Sequence, residues 1–386
     1  MKAKNNARSL IPLSALLCAN AWATDPQSIK IAEGLSFTPT LEVSERYDDN
    51  FREVNTHTES SWITRISPTF ALGAETEKVA YRVAYKADSD IFEESTKDNN
   101  TDHYLDADAR FNFDSRNRLK LSAGYQKIEE TATMDQRIEN DKYTVSHAGG
   151  TYTYGANSAR GQIELGGDYA QLRFQNGMHL NDDKERDTTA LVSTFYYRLS
   201  PRTRALVEGR YTDYDYVSNT RLNSEKLALL GGAEWEATAK TSGSIKIGAE
   251  RKTYDTSGIN SASGSLWEVG AKWKPRTYST FDIKTRQALI EGDDGASSIK
   301  QTTGSVGWEH YWATRFSTEI SYQRVEEEYQ DITRNDRINS YGVGFKYKMR
   351  RWMDVSMNYR HAKDDSTESE QSYTRNIYML SFAFSL

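Results

Sequence analysis

The feature that most constrains the fold is an alternation of apolar and polar residues with a period of two, which recurs from about residue 35 to the end of the chain. In 79–86, valine and tyrosine alternate with alanine, arginine and lysine; 119–125 and 267–273 follow the same pattern. Because successive side chains of a β-strand point to opposite faces, this period predicts strands with one apolar and one polar face.

The connections between these segments alternate between short and long. Turn-like stretches are short, as at 114–117, whereas polar stretches at 48–59, 92–102, 173–186 and 254–264 run to ten or more residues. Bacterial outer-membrane barrels have short periplasmic turns and longer extracellular loops. We therefore predict an all-β fold, a transmembrane antiparallel β-barrel that occupies residues 35–386 as one closed domain.

Counting the alternating segments gives about 18 strands, with 16 left open. The even number places both ends of the barrel on the periplasmic side. The predicted strands are 35–46, 60–73, 79–91, 103–113, 118–128, 142–154, 159–172, 187–199, 203–213, 224–236, 241–252, 265–274, 278–288, 299–309, 314–324, 337–348, 352–360 and 373–386.

The amino-acid composition is consistent with a barrel, although the mean hydropathy of the chain does not reveal one. Mean hydropathy is −0.76, yet the chain has 24 tyrosines, 8 tryptophans and only 6 prolines. In a barrel only every second residue faces lipid, so alternation reports the membrane face better than an average does. Aromatic residues near predicted strand ends suit the two interfacial girdles; these are Tyr85, Tyr125, Tyr169, Tyr211, Trp267, Trp273, Tyr322 and Tyr359.

The first residues have the pattern of a secretory signal peptide, predicted to span 1–23. A basic start precedes a short apolar stretch, and Ala21-Trp22-Ala23 supplies the small residues of a cleavage site. Residues 24–34 are then expected to form a short periplasmic segment. The single cysteine, Cys18, leaves with the signal, and the acidic net charge of −6 argues against a nucleic-acid partner.

The final predicted strand carries an unbroken apolar face that we interpret as an assembly signal for the barrel assembly machinery. Its members are Tyr378, Leu380, Phe382, Phe384 and Leu386. The alternative is the edge strand of a soluble sandwich, which would aggregate when exposed.

The polar face of the strands predicts a charged lumen. Charge at mid-membrane on the lipid face costs roughly 2–4 kcal/mol for each Arg or Lys, so these side chains should face water or each other. The predicted lumen-lining residues are Arg82, Lys86, Arg110, Arg204, Lys272, Lys284, Arg286, Asp106, Asp108, Glu208, Glu268 and Asp282. They could line a transport path or form an ion-pair lattice that stiffens the wall. No loop is long enough to be an obvious plug.

Neither a metal, a cofactor nor a catalytic residue is predicted. Acidic clusters in the loops, such as 48–50, 181–183 and 291–294, lack the spacing of a calcium loop, and we expect solvated charge there. Of the six histidines, only His361, near Asp364 and Asp365, lies in a suggestive place for an outer-membrane enzyme. A solvated loop explains that grouping better.

Three short motifs resemble the β-barrel porin family of the second type. They are Ser44-Glu45-Arg46-Tyr47-Asp48-Asp49-Asn50-Phe51, Ile66-Ser67-Pro68, and Leu121-Ser122-Ala123-Gly124-Tyr125. The resemblance covers nearly the whole mature chain. Members of that family are often encoded with exopolysaccharide or capsule synthesis genes, so the resemblance implies a porin-like channel or export component for extracellular polysaccharide.

Other functions remain open from the sequence. A general diffusion porin for small polar solutes and a structural anchor for surface polysaccharide are the alternatives, and an enzyme is the least favoured. In the outer membrane of a Gram-negative bacterium, the expected partners are outer-membrane lipid and lipopolysaccharide, the barrel assembly machinery, and polysaccharide together with periplasmic export proteins.

Overall fold

A computed structural model describes residues 28–133, 139–238 and 240–385. The predicted signal peptide and Leu386 lie outside the described residues. Nineteen strands occur in the described ranges. They are β1 Ile29–Ala32, β2 Leu35–Asp48, β3 Ser61–Glu75, β4 Val79–Phe92, β5 Asn100–Asn112, β6 Asn117–Glu130, β7 Asp141–Tyr154, β8 Gly161–Phe174, β9 Arg186–Ser200, β10 Thr203–Tyr216, β11 Ser224–Thr238, β12 Thr241–Tyr254, β13 Ala262–Arg276, β14 Ser279–Glu291, β15 Ser298–Ala313, β16 Phe316–Tyr329, β17 Asn335–Arg350, β18 Met353–Ser366 and β19 Tyr373–Ser385.

Strands β2 to β19 form a closed antiparallel barrel. Each strand pairs with the next along the chain, and β19 returns to pair with β2 from Ile377↔Asp48 to Ser385↔Thr40. Closure gives every strand a partner on both sides, which a sheet in lipid requires because no water is available there to bond an open edge. The predicted eighteen-stranded barrel is confirmed. Among the described residues, no helix is both long and apolar enough to cross a membrane.

Strands β2 to β19 have 13 to 16 residues each. Most of them are longer than predicted, although β8 keeps its predicted length, and most loops are correspondingly shorter. The predicted loops at 92–102 and 254–264 shrink to 93–99 and 255–261. At these ends the antiparallel ladder continues through residues that are polar on both faces. The alternation of hydrophobicity therefore stops before the hydrogen bonding does.

Strand β1 was not predicted and lies within the segment expected to be a simple periplasmic extension. It pairs with the edge of β2 at Phe37, Ser36 and Leu35, below the point where β19 ends opposite Thr40. The short strand thus covers an edge that would otherwise be unpaired. Gly34 turns the chain between β1 and β2 with φ +72°, and a Cβ there would lie 2.6 Å from a backbone oxygen. Four residues are too few for alternation to reveal a strand.

The junction between first and last strands is reinforced by the motif that resembles the porin family. Asp48 accepts two 3.0 Å bonds from the Nε of Arg375, and Asp49 accepts 2.6 Å bonds from both the backbone and side-chain N–H groups of Asn376. Asn50 donates to the backbone carbonyl of Thr374 at 2.9 Å. This acidic cluster was expected to be solvated; instead Asp48 is fully buried, because its charge is matched by an arginine from the closing strand.

The outer face of the barrel is apolar. Tyr378 and Leu380 of β19 are exposed on it, and Phe382 and Phe384 are half-buried at the same parity. Ring pairs join this strand to its neighbour, with centroids 4.9 Å apart for Tyr359–Tyr378. These residues occupy the lipid-facing positions of a closing strand, and their reading by the assembly machinery stays a prediction.

Candidate functional site

The inner wall of the barrel carries the charged side chains that the sequence assigned to a lumen. On β4, Tyr81, Val83 and Tyr85 are exposed on the outside, so Arg82 and Lys86 lie at the opposite, inner parity. The same test places all twelve predicted residues at inner-face positions, namely Arg82, Lys86, Asp106, Asp108, Arg110, Arg204, Glu208, Glu268, Lys272, Asp282, Lys284 and Arg286. Their part in transport stays a prediction.

Ion pairs between strands that are not neighbours show that these side chains converge. Arg210 of β10 donates to Glu268 of β13 at 2.8 and 2.9 Å. Lys246 of β12 lies 2.8 Å from Glu208 of β10, which also lies 2.5 Å from Arg210. Side chains from strands two or three apart can meet only on the concave face of a curved sheet. Arg286 extends this network, with its Nε 3.8 Å from Glu268.

Further ion pairs follow the wall around the barrel. The separations are 3.6 Å for Arg82–Asp108, 2.8 Å for Lys86–Asp88, 2.6 Å for Arg204–Glu234, 3.8 Å for Lys272–Asp282 and 3.1 Å for Lys284–Asp282. Arg110 lies on the same face opposite Lys120, and Asp106 lies opposite Gly124. An ion-pair lattice is therefore present on the wall, and it leaves a transport role open.

The pairs are asymmetric in exposure. In all but one of the nine pairs above (Arg210–Glu268), the cationic side chain is more exposed than its acidic partner. The side chain of Lys284 is 70% exposed and that of Asp282 33%; the values for Lys86 and Asp88 are 44% and 9%. Long stems let Lys and Arg carry their charge outward. In these pairs the ammonium or guanidinium group is therefore the one that reaches further toward the water of the lumen.

One hairpin of the wall separates from its neighbour and folds into the barrel. The β13–β14 ladder ends at Trp267↔Gln287, although β13 continues to Ala262 against β12 and β14 continues to Glu291 against β15. We call residues 287–299, the freed end of β14, its turn and the start of β15, the inward hairpin. The sequence offered no long loop as an obvious plug; the element that reaches into the barrel is instead the end of two strands with their turn.

Inner-wall side chains replace the missing ladder. The backbone N–H of Leu289 donates to Glu250 of β12 at 2.5 Å, and Lys226 of β11 donates to the carbonyl of Leu289 at 2.9 Å. Leu289, Ser298 and other residues of the inward hairpin are buried. Backbone groups of β14 that no longer pair with β13 are thus hydrogen-bonded to charged side chains inside the barrel.

Two ion pairs hold the tip of the inward hairpin. Lys184, in the loop 175–185, lies 2.9 Å from Asp293, and Arg334, beside β17, lies 2.6 Å from Asp294. The first contact joins the β8–β9 loop to the β14–β15 turn, six strands away, so it crosses the mouth. Burial and the neighbouring Asp293 raise the pKa of Asp294 to about 6, and Arg334 opposes this shift.

Five side chains of β10, β11 and β12 surround the base of the inward hairpin, and we call them the tyrosine–lysine cradle: Tyr214, Tyr216, Lys226, Lys252 and Tyr254. Lys252 Nζ donates to Glu291 at 2.5 Å, and the hydroxyl of Tyr216 donates to the same carboxylate at 2.6 Å. The hydroxyl of Tyr254 donates to the carbonyl of Ser297 at 2.8 Å. Lys252 also lies 4.8 Å from the ring centroid of Tyr214 and 5.1 Å from that of Tyr254.

Sequence reasoning missed this cradle. It ended β10 at residue 213 and β12 at residue 252, so Tyr214, Tyr216 and Tyr254 fell in predicted loops. The available signal was tyrosine at both 214 and 216, which continues the inner parity of β10 beyond the apolar outer face.

The suggestive histidine has no catalytic arrangement. Asp364 lies at the opposite parity of β18 from His361, so these two side chains point to opposite faces. Asp365 shares the parity of His361, lies four residues further along the strand, and pairs with Lys363 at 2.7 Å. The ring of His361 lies on the outer face, with Nδ1 2.9 Å from the side-chain oxygen of Asn376. A histidine and a carboxylate on opposite sides of a sheet cannot act together on one substrate.

A closed eighteen-stranded antiparallel barrel with an apolar outer face and a charged inner face defines the class of outer-membrane porin-like barrels. Within that class the chain belongs to the family described as "Putative beta-barrel porin 2", whose profile matches residues 34–385. This family and fold are those of channels and transporters rather than enzymes.

Solved porins share the fold at low sequence identity. A BenF-like porin from Pseudomonas fluorescens Pf-5 aligns with TM-score 0.51 and 12% identity over 91% of this chain and 99% of that one. OccK2 (OpdF) from Pseudomonas aeruginosa aligns with TM-score 0.52 and 10% identity over 91% and 98%, including a structure in complex with glucuronate. The FrpB iron transporter from Neisseria meningitidis aligns with TM-score 0.50 and 11% identity over 84% of this chain, which spans only 62% of it. No curated protein matches the sequence significantly.

Proposed function

We propose that the protein is a channel in the outer membrane of a Gram-negative bacterium that conducts an acidic, hydroxyl-rich carbohydrate, and that its first role is export of an extracellular or capsular polysaccharide. The exposure asymmetry of the inner-wall ion pairs carries this proposal. Arg and Lys groups standing out from the wall offer charge-assisted donors to carboxylates and sugar hydroxyls. Polysaccharide and periplasmic export proteins are the partners that this role implies.

The paired acids explain how such a wall could conduct rather than trap. A transported chain must bind well enough to enter and weakly enough to leave, which many weak sites achieve better than one strong site. Asp282 lies within 4 Å of both Lys272 and Lys284, and so limits the net positive charge that either presents. The lattice and the transport path are then two properties of one surface.

A second candidate is entry of small acidic solutes, and the inward hairpin favours it. The mouth is crossed by the Lys184–Asp293 contact, which leaves a narrower passage than an open eighteen-stranded barrel would have. The solved OccK2 complex contains glucuronate, a small acidic sugar. Export of a polymer requires this contact to open, whereas passage of a monomer does not.

The test removes three inner-wall charges while keeping side-chain size: Arg82→Gln, Arg110→Gln and Arg286→Gln together. A conducting wall predicts a shift of ion selectivity toward cations in planar bilayers and lower polysaccharide secretion by cells, with the barrel still folded. The matched control changes the outward-facing Arg324, Arg337 and Lys363 to Gln, and should alter neither property.

Three results would decide against the export proposal. Lost heat stability with unchanged selectivity would assign the charges to a stiffening lattice alone. Unchanged selectivity, secretion and stability would show that the inner parity of these strands is wrong. Conductance blocked by an acidic monosaccharide in a protein whose loss leaves secretion normal would favour solute entry.

A further inference from the structure

We propose that the tyrosine–lysine cradle is a binding site for an acidic sugar, and that Glu291 of the inward hairpin occupies the place of the sugar carboxylate in this structure. The inference rests on the proposed function and adds a specific site to it. The inner wall offers many weak contacts, whereas the cradle is one enclosed site near the extracellular mouth.

The carboxylate position is defined by two donors. Lys252 is 1% exposed, and its Nζ reaches Glu291 at 2.5 Å. A buried ammonium requires an anion beside it, because an unpaired charge is costly to remove from water. Tyr216 supplies the second donor at 2.6 Å. Together they bind a carboxylate, whichever molecule carries it.

The rest of the cradle suits a sugar ring. The rings of Tyr214 and Tyr254 both lie close to Lys252, with centroids 4.8 and 5.1 Å from its Nζ, and tyrosine combines an apolar face with a polar tip. Lys226 Nζ and the hydroxyl of Tyr254 donate to backbone carbonyls of the inward hairpin at 2.9 and 2.8 Å. In its absence those donors would face sugar hydroxyls, whose oxygens accept in the same way.

The inward hairpin is the part of the wall that can leave without opening the barrel. Beyond Gln287 it has no ladder to β13, so withdrawal of its turn and of the freed end of β14 breaks side-chain contacts. The Ile299↔Tyr329 pairing at its base holds β15 against β16. After Glu291 has left, the cradle would contain two ammonium groups, those of Lys226 and Lys252. The nearby carboxylate of Glu250, 3.9 Å from Lys226, would balance only one of them. The resulting net positive charge favours replacement of Glu291 by another carboxylate.

The experiment measures binding of trigalacturonate, an acidic oligosaccharide, to the refolded full chain by titration calorimetry, with neutral maltotriose and simple acetate as comparison ligands. Glu291→Gln removes the internal carboxylate, and trigalacturonate should bind about tenfold more tightly, the change that one charge-assisted hydrogen bond supports. Adding Lys252→Met to that variant should abolish the gain. Maltotriose binding should stay unchanged.

A second variant keeps the inference testable if Glu291→Gln folds poorly. Lys184→Gln breaks the ion pair with Asp293 that holds the tip of the inward hairpin, keeps every side chain of the cradle, and should also increase trigalacturonate affinity. The matched control is Glu328→Gln, which removes an exposed acid paired with Lys300 and should change no affinity.

Contrary outcomes are clear. Equal trigalacturonate affinity in the parent, Glu291→Gln and Lys184→Gln proteins would show that the cradle only anchors the inward hairpin. Acetate binding as tight as trigalacturonate would show that the site recognises a carboxylate and no sugar. If selectivity still depends on Arg82, Arg110 and Arg286 while these titrations fail, the cradle assignment falls and the proposed channel stands.

Discussion

Asp48 shows what one buried acidic side chain contributes to closing a barrel. It lies at the extracellular end of the β2–β19 ladder, opposite Ile377, and its side chain is fully buried. Arg375 binds both carboxylate oxygens from the last strand. The pair therefore extends the junction beyond the point where backbone pairing ends, and ties a residue near the start of the barrel to one near its finish.

Replacing Asp48 by Asn should lower the stability of the folded barrel by about 1.5–3 kcal/mol, because charge-assisted hydrogen bonds are lost. Glu53, 2.7 Å from Arg375, still compensates part of the arginine charge. The measurement is the temperature at which the folded band disappears on unboiled gels. The control, Asp365→Asn, breaks a pair with Lys363 in which both side chains are about half exposed, and should cost at most about 1 kcal/mol. Equal effects of the two variants would show that the junction does not depend on this pair.

At the scale of elements, the inward hairpin shows why local sequence patterns could not reveal the mouth. The outward-facing residues are apolar over 267–273 of β13 and over 281–283 of β14, and this pattern allowed both strands to be placed. Nothing in 287–299 indicates that the ladder to β13 ends, because the groups that replace it, Lys226 and Glu250, belong to other strands. A contact between distant strands leaves no periodic signal.

The inward hairpin should respond to pH through Asp294. The groups that face it are Asp293 on the same turn, Lys184 from the loop 175–185, and Arg334, which also binds Asp336. The pKa of Asp294 is about 6 when anchored, and an exposed Asp has an ordinary pKa near 3.9. The anchored state therefore takes up a proton between about pH 6 and pH 4, and acidification through this range stabilises it.

We accordingly expect single-channel conductance to fall as the pH on the extracellular side is lowered from 7 to 4. Asp294→Asn, which cannot titrate, should remove the part of the response centred near pH 6 and leave the rest. A conductance that rises on acidification, or a response identical in the variant, would contradict the assignment.

At the scale of the whole molecule, the alternation of apolar and polar residues was enough to predict the barrel but not the contacts in its interior. Eighteen strands could be counted because lipid imposes an apolar residue at every second position on each of them. The inner-wall parity followed from the same count. Neither β1 nor the tyrosine–lysine cradle faces lipid at mid-membrane, so that constraint does not act on them.

Removing Tyr378 to Leu386 should abolish assembly, because β19 pairs with both β18 and β2 and its loss opens two edges. The intact protein should fractionate with the outer membrane and migrate anomalously unless boiled, whereas the truncated protein should be absent from that fraction. Deletion of β1 is the matched control: it removes a strand but leaves the barrel ladder closed. Normal amounts of truncated protein in the outer membrane would show that this strand is not needed for closure.

Closure also sets the order in which the chain can fold. Every ladder of the barrel joins strands adjacent in sequence except β2–β19, where Thr40 meets Ser385 across 385 − 40 = 345 residues. Loop-closure entropy rises with the logarithm of length, so this encounter costs about 3 kcal/mol more than forming a fifteen-residue hairpin. The seventeen ladders between consecutive strands can form while the chain is still being delivered, but the edge of β2 stays unpaired until the last strand is present. The yield of folded barrel then depends on how long the unpaired edge of β2 is protected from pairing with other strands.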